Sequence, residues 1–166
     1  MTQNKPVRIL AIAPTARGFG FAVMEGSSRL VAFSNKSILK NKNDRTLVWV
    51  EKFIRRYEPA VMVLPAVNAT DTRRAKRIKQ LHQRMGALAT KLKLKVKLIT
   101  ATRVREQLLG QGKGNKQSLA EVLAGLFPIE LAPRLPPKRK VWKSEDPRMD
   151  IFDAVGLAVC FWAKDK

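Results

Sequence analysis

Four carboxylates, Glu145, Asp146, Asp150 and Asp153, fall within nine residues of the stretch SEDPRMDIFDAVGLA. Asp150 and Asp153 are three apart, which on a helix puts both on one face about one turn apart. Carboxylates are the hard oxygen ligands that Mg²⁺ takes. An acidic cluster at the mouth of a buried helix, in a chain built to attract polyanions, suggests a metal site for phosphodiester chemistry. Asp153 runs straight into AVGLAV, so the helix is buried and this acid faces a cleft. A buried carboxylate needs a partner, either a metal or a cation from the chain. Glu145 and Asp146 have a plainer role. They precede the helix, where Asp146 can cap it, Pro147 suits its first turn, and both acids complement the macrodipole.

The rest of the chain has the opposite charge. Thirty-three Lys+Arg stand against 13 Asp+Glu, for a formal net charge of +20 over 166 residues. Such a balance calls for a polyanionic partner, nucleic acid before an anionic membrane surface. An apolar fraction of 45% is that of a globular protein and not of a disordered basic tail. No apolar run is long enough to span a membrane, and the start lacks the apolar core of a signal peptide. One Cys and one His cannot build a zinc site of the usual kind. Cys160 reads as a core residue in a reducing, cytoplasmic setting.

Three basic groups are candidate nucleic-acid contacts. Arg73, Arg74, Lys76, Arg77 and Lys79 crowd the start of a helix, with only Asp71 as a nearby acid. Cations so placed meet phosphates and set affinity and salt dependence without reading sequence. The loop GQGKGNKQ carries Lys113 and Lys116 ahead of another helix. It is either a flexible turn with an Asn115 cap or a phosphate-binding loop at a helix N-terminus. It lacks the Gly-Lys-Ser/Thr of a nucleotide-binding P-loop. The segment LPPKRKVWKS joins Lys138, Arg139, Lys140 and Lys143 to Trp142. That tryptophan can stack on an unpaired base or, more simply, anchor the loop by packing. His82, with no nucleophile or acid beside it, reads as structural or solvent-facing.

The elements that must position these groups follow from periodicity. Val7–Ala13, Gly18–Met24 and Leu30–Ile38 are short apolar runs joined by tight links and predict an antiparallel meander. A helix capped by Asn43 or Asp44 carries Leu47, Val50, Ile54 and Tyr57 at helical spacing, and Pro59 ends it. Ala60–Leu64 reads as a buried strand. Asp71 caps a long helix with the stripe Ile78, Leu81, Met85, Leu88 and Leu92. Lys93–Leu98 alternates lysine with apolar residues, as a half-buried edge strand does. Helices follow over Thr102–Leu109 and Lys116–Phe127. Residues 128–147 form a long basic proline-bearing loop without regular structure of its own, a feature that is often functional. The final helix begins near Pro147, and Trp49 and Trp162 fall in core positions of helical patterns. The whole, residues 1–166, reads as a single α/β domain with a mixed sheet.

Three motifs carry a family resemblance spread over most of the chain. ILAIAPTARGFGFAVME resembles the opening hairpin of the RuvC-like Holliday junction resolvase family, in the RNase H-like superfamily. There the first strand ends in Asp-Pro-Gly/Thr and the second begins Gly-x-Gly. YEPAVMVLPAV resembles the fourth strand, which ends in a catalytic Glu, and RMDIFDAVGLAV resembles the last helix with its two aspartates. The resemblance implies a mixed five-stranded sheet, three antiparallel strands then two parallel, flanked by helices. It also implies two Mg²⁺ ions on acids from the first strand, the fourth strand and the last helix, and homodimeric relatives that cut DNA junctions. The chain departs from that pattern at two places. Ala13 stands at the first-strand acid and Pro65 at the fourth-strand acid, leaving Asp150 and Asp153 as a remnant catalytic pair and the metal ligands, if any.

The expectation is therefore a binder of structured or branched DNA or RNA whose nuclease activity is lost or impaired. Arg17, on the first hairpin, joins its nucleic-acid-binding residues. No cofactor is expected unless the site is active, in which case it is Mg²⁺. Two alternatives stay open. One is an active Mg²⁺-dependent junction endonuclease with rearranged carboxylates, Asp71, Glu145 or Asp146 replacing the lost ligands. The other is a structural subunit of a ribonucleoprotein or recombination complex. A homodimer or a larger nucleoprotein assembly fits either.

Overall fold

The computed structural model describes residues 6–66, 73–110 and 114–163, with the backbone alone for 73–75. Expectations for Asp71 and Lys113, and for the side chains of Arg73 and Arg74, lie outside the described residues. The chain opens with β1 (Arg8–Pro14), β2 (Gly18–Glu25) and β3 (Arg29–Ser37), paired antiparallel in sequence order. Helix α1 (Lys42–Tyr57) returns the chain to β4 (Val61–Pro65), which lies parallel to β1 with Ile9 opposite Val61. Helix α2 (Arg73–Lys91) leads to β5 (Lys95–Ile99), parallel to β4. The sheet order is β3-β2-β1-β4-β5, the mixed five-stranded arrangement expected from the sequence. Helices α3 (Ala101–Leu109), α4 (Lys116–Leu126), α5 (Pro128–Leu131) and α6 (Met149–Trp162) complete the chain.

Strand side chains alternate between two cores, as a pleated strand requires. Leu10, Ile12, Phe19, Phe21, Met62 and Leu64 face α1 and α2. Ile9, Ala11, Ala13, Ala22, Met24 and Val63 face the layer of α3, α4 and α6. Because each central strand is covered on both sides, its sequence is almost continuously apolar. Helix α6 is the most enclosed helix, with ten of its 14 residues buried. Its first turn rests against β2 at Gly20, where the Asp150 backbone occupies the space of a Cβ.

Several local expectations yield to tertiary partners. Asn41, in the left-handed conformation, precedes α1 without a side-chain cap, and Asn43 and Asp44 lie inside the first turn. Asn43 exchanges hydrogen bonds with Arg77, each 3.1 Å, and Asp44 pairs with Arg84 at 2.8 Å. The strand expected over residues 93–98 begins two residues later. Lys93 takes a positive φ as α2 ends, and the Leu94 N–H donates to the Ala89 carbonyl. Strand β5 is also less buried than its alternation implied. Val96 and Leu98 are 40% and 55% exposed, because an edge strand has a neighbour on one side only.

The 128–147 connection is not devoid of regular structure. It holds α5 and a 3₁₀ turn over Ala132–Arg134, and Leu131 is fully buried. That leucine, and not Trp142, anchors the segment; Trp142 is 78% exposed, with only the Lys140 ammonium 5.6 Å from its ring. Helix α6 starts at Met149, and Asp146 still caps the turn before it by accepting from the Arg148 N–H at 2.9 Å. Trp49 and Trp162 are half-buried at core edges. No helix among the described residues is long and apolar enough to cross a membrane.

Candidate functional site

The site lies at the carboxyl ends of the parallel strands β1 and β4, where open α/β sheets commonly place ligands. Ala13 faces the α6 side of the sheet, and Pro65, two residues beyond Val63, falls on the same face by strand alternation. Both line a cavity of about 330 Å³ together with Asp153. The two positions where the resemblance expects acids therefore do converge on the last-helix pair, but they bring methyl and methylene groups. No carboxylate from either strand reaches the cluster, since neither strand end carries one.

Protein cations stand among the acids that remain. Asp150 is 1% exposed. Its Oδ2 accepts from the Thr15 hydroxyl at 3.0 Å and its Oδ1 from Arg17 Nη2 at 2.5 Å. The same Arg17 nitrogen reaches Glu145 at 3.2 Å. Lys116 Nζ lies 3.3 Å from Glu145 and 3.5 Å from Asp153. Oxygens of Glu145, Asp150 and Asp153 all lie within 4.8 Å of one another. Three carboxylates and two cations thus form one continuous ion-pair cluster.

The turn carrying Thr15 and Arg17 is held from outside. The Thr15 N–H donates to the Gly18 carbonyl at 2.9 Å, and Arg77 Nη2 donates to the Thr15 carbonyl at 2.8 Å. Arg77, expected as a nucleic-acid contact, ties α2 to this turn and to α1.

The electrostatics follow from burial and pairing. Burial raises the Asp150 carboxyl above its ordinary value, against the opposing pull of Arg17 and Thr15. Asp153 is pushed up to about 6, chiefly by burial, with Lys116 opposing and the neighbouring carboxylates reinforcing. Burial works the same way on Glu145, but Lys116 and Arg17 outweigh it and hold this acid below its usual range. Arg17 is raised, its burial overcome by Asp150 and Glu145. Asp146 belongs elsewhere: its pairing with Arg148 at 2.8 Å lowers it.

Asp153 supplies a test of this balance. A carboxyl raised in the folded state contributes stability that is fully present below its unfolded value and lost as pH rises through its folded value. Asp153 therefore costs stability progressively between its ordinary value near 3.8 and about 6. Asp153→Asn is expected to be more stable than the parent at pH 7.5, by on the order of 1–2 kcal/mol. The two should converge at about pH 4, as urea denaturation would record. A variant less stable than the parent at neutral pH would count against this description.

The arrangement does not fit a pair of Mg²⁺ ions. Both oxygens of Asp150 are engaged by Thr15 and Arg17, Lys116 holds the other two acids, and the strand ligands are absent. Mg²⁺ demands near-octahedral oxygen coordination, which this set does not offer while Arg17 and Lys116 remain in place.

The remaining described candidates fall into three places. Lys138 and Arg139 line a polar groove of about 690 Å³ beside the cavity. Lys140, Trp142 and Lys143 are exposed on the turn that follows. Lys76 is exposed on α2. Sequence reasoning missed Thr15 and Arg105, and it read Glu145 as a helix-dipole acid or, in the alternative, as a replacement ligand. No local pattern marks them; they line adjoining cavities because the β1–β2 turn, α3 and the start of α6 converge. His82 is half-buried on α2, held below its usual value by burial, and is no part of the cluster.

A family model, crossover junction endodeoxyribonuclease RuvC, matches residues 9–161. The chain belongs to the RuvC family. A RuvC of Trichlorobacter lovleyi is 27% identical over 163 residues, covering 93% of this chain and 84% of that protein. Among solved structures, Thermus thermophilus RuvC superposes with a TM-score of 0.70 at 17% identity, covering 95% of each chain. The same RuvC in complex with Holliday junction substrate gives 0.73 at 17% identity, over 93% of this chain and 92% of that one. The yeast mitochondrial Holliday junction resolvase gives 0.66 at 13% identity, over 97% and 79%. At such identities these structures establish the RNase H-like fold. Within the RuvC family, this chain carries Ala13 and Pro65 at strand ends where the resemblance expects metal-binding acids.

Proposed function

We propose that this RuvC-family protein binds branched DNA without cleaving it, using Arg17 and Lys116 as permanent counter-ions in place of metals. The observation that carries this reading is the ion-pair cluster itself. Every acid in it lies within 3.5 Å of a cation of the chain, and the strand ends supply no further ligand. Binding needs none of this chemistry. The net charge of +20 and the exposed Lys138, Arg139, Lys140 and Lys143 suit phosphate contacts whose strength falls steeply with salt. A homodimer or larger nucleoprotein assembly is compatible with that role.

The expected result is retention of a labelled four-way junction in a gel-shift assay, with no cleavage over hours in Mg²⁺ or Mn²⁺. Affinity should fall by about a thousandfold between 50 and 200 mM salt. Metal-dependent cleavage abolished by Asp153→Asn would overturn the proposal. One observation favours a second reading: three carboxylates lie within 4.8 Å of one another, so displacing Lys116 would open an acidic site from rearranged ligands. Calorimetric binding of Mn²⁺ to the parent protein, lost in Asp150→Asn, would support it.

A further inference from the structure

The cavity beside the ion-pair cluster has walls that a metal site would not want. Pro65, Val104, Leu119, Leu123, Phe152 and Leu157 line it with Gly156, and Thr15, Arg105, Lys116 and Asp153 supply its polar side chains. Its volume of about 330 Å³ lies in the range of small-molecule sites. Ala13 and Pro65 help to make it apolar, in the place where acids would make it polar. An open apolar pocket in so charged a surface leaves apolar area wet, so a planar apolar group entering it gains that burial.

The mouth adds a second constraint. Arg105 and Lys116 line this cavity and also the adjoining polar groove, which carries Lys138 and Arg139. One ligand could therefore lay an apolar ring in the cavity and an anionic group along the groove. At the boundary Asp153 presents a carboxylate, 28% exposed, able to accept from ring N–H or amino groups. A flat ring with N–H donors joined to a phosphate is a nucleotide, and enzymes that extract bases read them by edge hydrogen bonds and stacking on apolar walls.

We propose that the cavity receives one unstacked nucleobase of the bound strand, its phosphate crossing to the Arg105–Lys138–Arg139 groove. This deepens the proposed function and rests on its nucleic-acid partner. Guanine, which presents two adjacent donors to a carboxylate, fits Asp153 best. The pocket thereby becomes a sensor of unpaired nucleotides at a branch point instead of a place of cleavage.

The test compares four-way junctions carrying one unpaired guanosine at the crossover with the same junctions carrying an abasic residue there. Fluorescence anisotropy reads binding, and calorimetry with guanosine monophosphate reads the site alone. The parent protein should prefer the base by about tenfold. Ala101→Trp and Ala66→Leu, which add bulk to the cavity lining, should bring both junctions to the abasic affinity and abolish monophosphate binding. Equal affinity of the parent for base and abasic junctions overturns the pocket while leaving junction binding intact. A preference that persists in both variants overturns it too. No junction binding, but monophosphate binding that Ala101→Trp abolishes, would leave the pocket standing and remove the junction reading. Failure of both ligands removes both.

Discussion

Arg17→Met is expected to cost the fold about 3 kcal/mol at pH 7.5 and much less at about pH 4. Asp150 is buried to 1% exposure with Thr15 and Arg17 as its partners. Removing the guanidinium leaves a carboxylate with one neutral hydroxyl in a site closed to water. Breaking a buried pair in this way costs more than the pair itself contributes, because the surviving charge is stranded. The protein can relieve the strain only by keeping Asp150 protonated. Burial already raises that carboxyl against the pull of Arg17, so losing Arg17 raises it further. A carboxyl raised in the folded state loses its contribution as pH climbs through the folded value. The gap between variant and parent should therefore open above the ordinary carboxylate range and reach its full size near neutrality. Urea titrations at the two pH values measure it. Arg17→Met/Asp150→Asn should recover most of the loss, since neither charge remains; a double variant as unstable as the single one would refute the coupling.

Gly20→Ala is expected to lose about 4 kcal/mol or more, and to do so equally at both pH values. A Cβ there would stand 1.9 Å from the Asp150 carbonyl oxygen and 2.3 Å from its carbon. These are backbone atoms of α6, not the end of a flexible side chain, so relief requires the helix to withdraw from β2. Helix α6 carries much of the core on its side of the sheet, and overpacked cores tolerate such shifts poorly. Gly125→Ala is the control. That glycine lies exposed in α4 with open space where a Cβ would be, so alanine should stabilise by about 0.5–1 kcal/mol through helix propensity. Thermal unfolding of both variants checks the contrast, and a mild effect at Gly20 would show that α6 docks more loosely than its contacts imply.

The two substitutions also mark how far the sequence could be read. Strands β1, β2 and β4 were legible because a strand buried on two faces must be continuously apolar, and β5 was legible by its alternation; their order in the sheet was legible through the family resemblance. The α2 stripe was legible for the corresponding helical reason. Local rules failed where a distant partner offered more. Asn43 gave up a cap for Arg77, and Val96 and Leu98 stayed exposed because β5 sits at the sheet edge. The 128–147 segment gained a short helix because Leu131 found a core to enter.

The site divides along the same line. Family membership, Ala13 and Pro65 at strand ends where the resemblance expects acids, and the three-residue spacing of Asp150 and Asp153 are properties of chain order and were visible in it. The partners of the acids were not. Arg17 and Lys116 are 99 positions apart in the chain, and both were read as cations for a phosphate partner. Folding sets them against Asp150, Glu145 and Asp153, because carboxylates brought together need opposite charge nearby. Glu145, read as a helix-dipole acid or a replacement ligand, joins the cluster for the same reason. The identity of the acids was thus determined by the sequence, whereas their counter-charges and the apolar cavity beside them were decided by the tertiary structure. Pairing of charges depends on distance in space, and spacing along the chain does not report it.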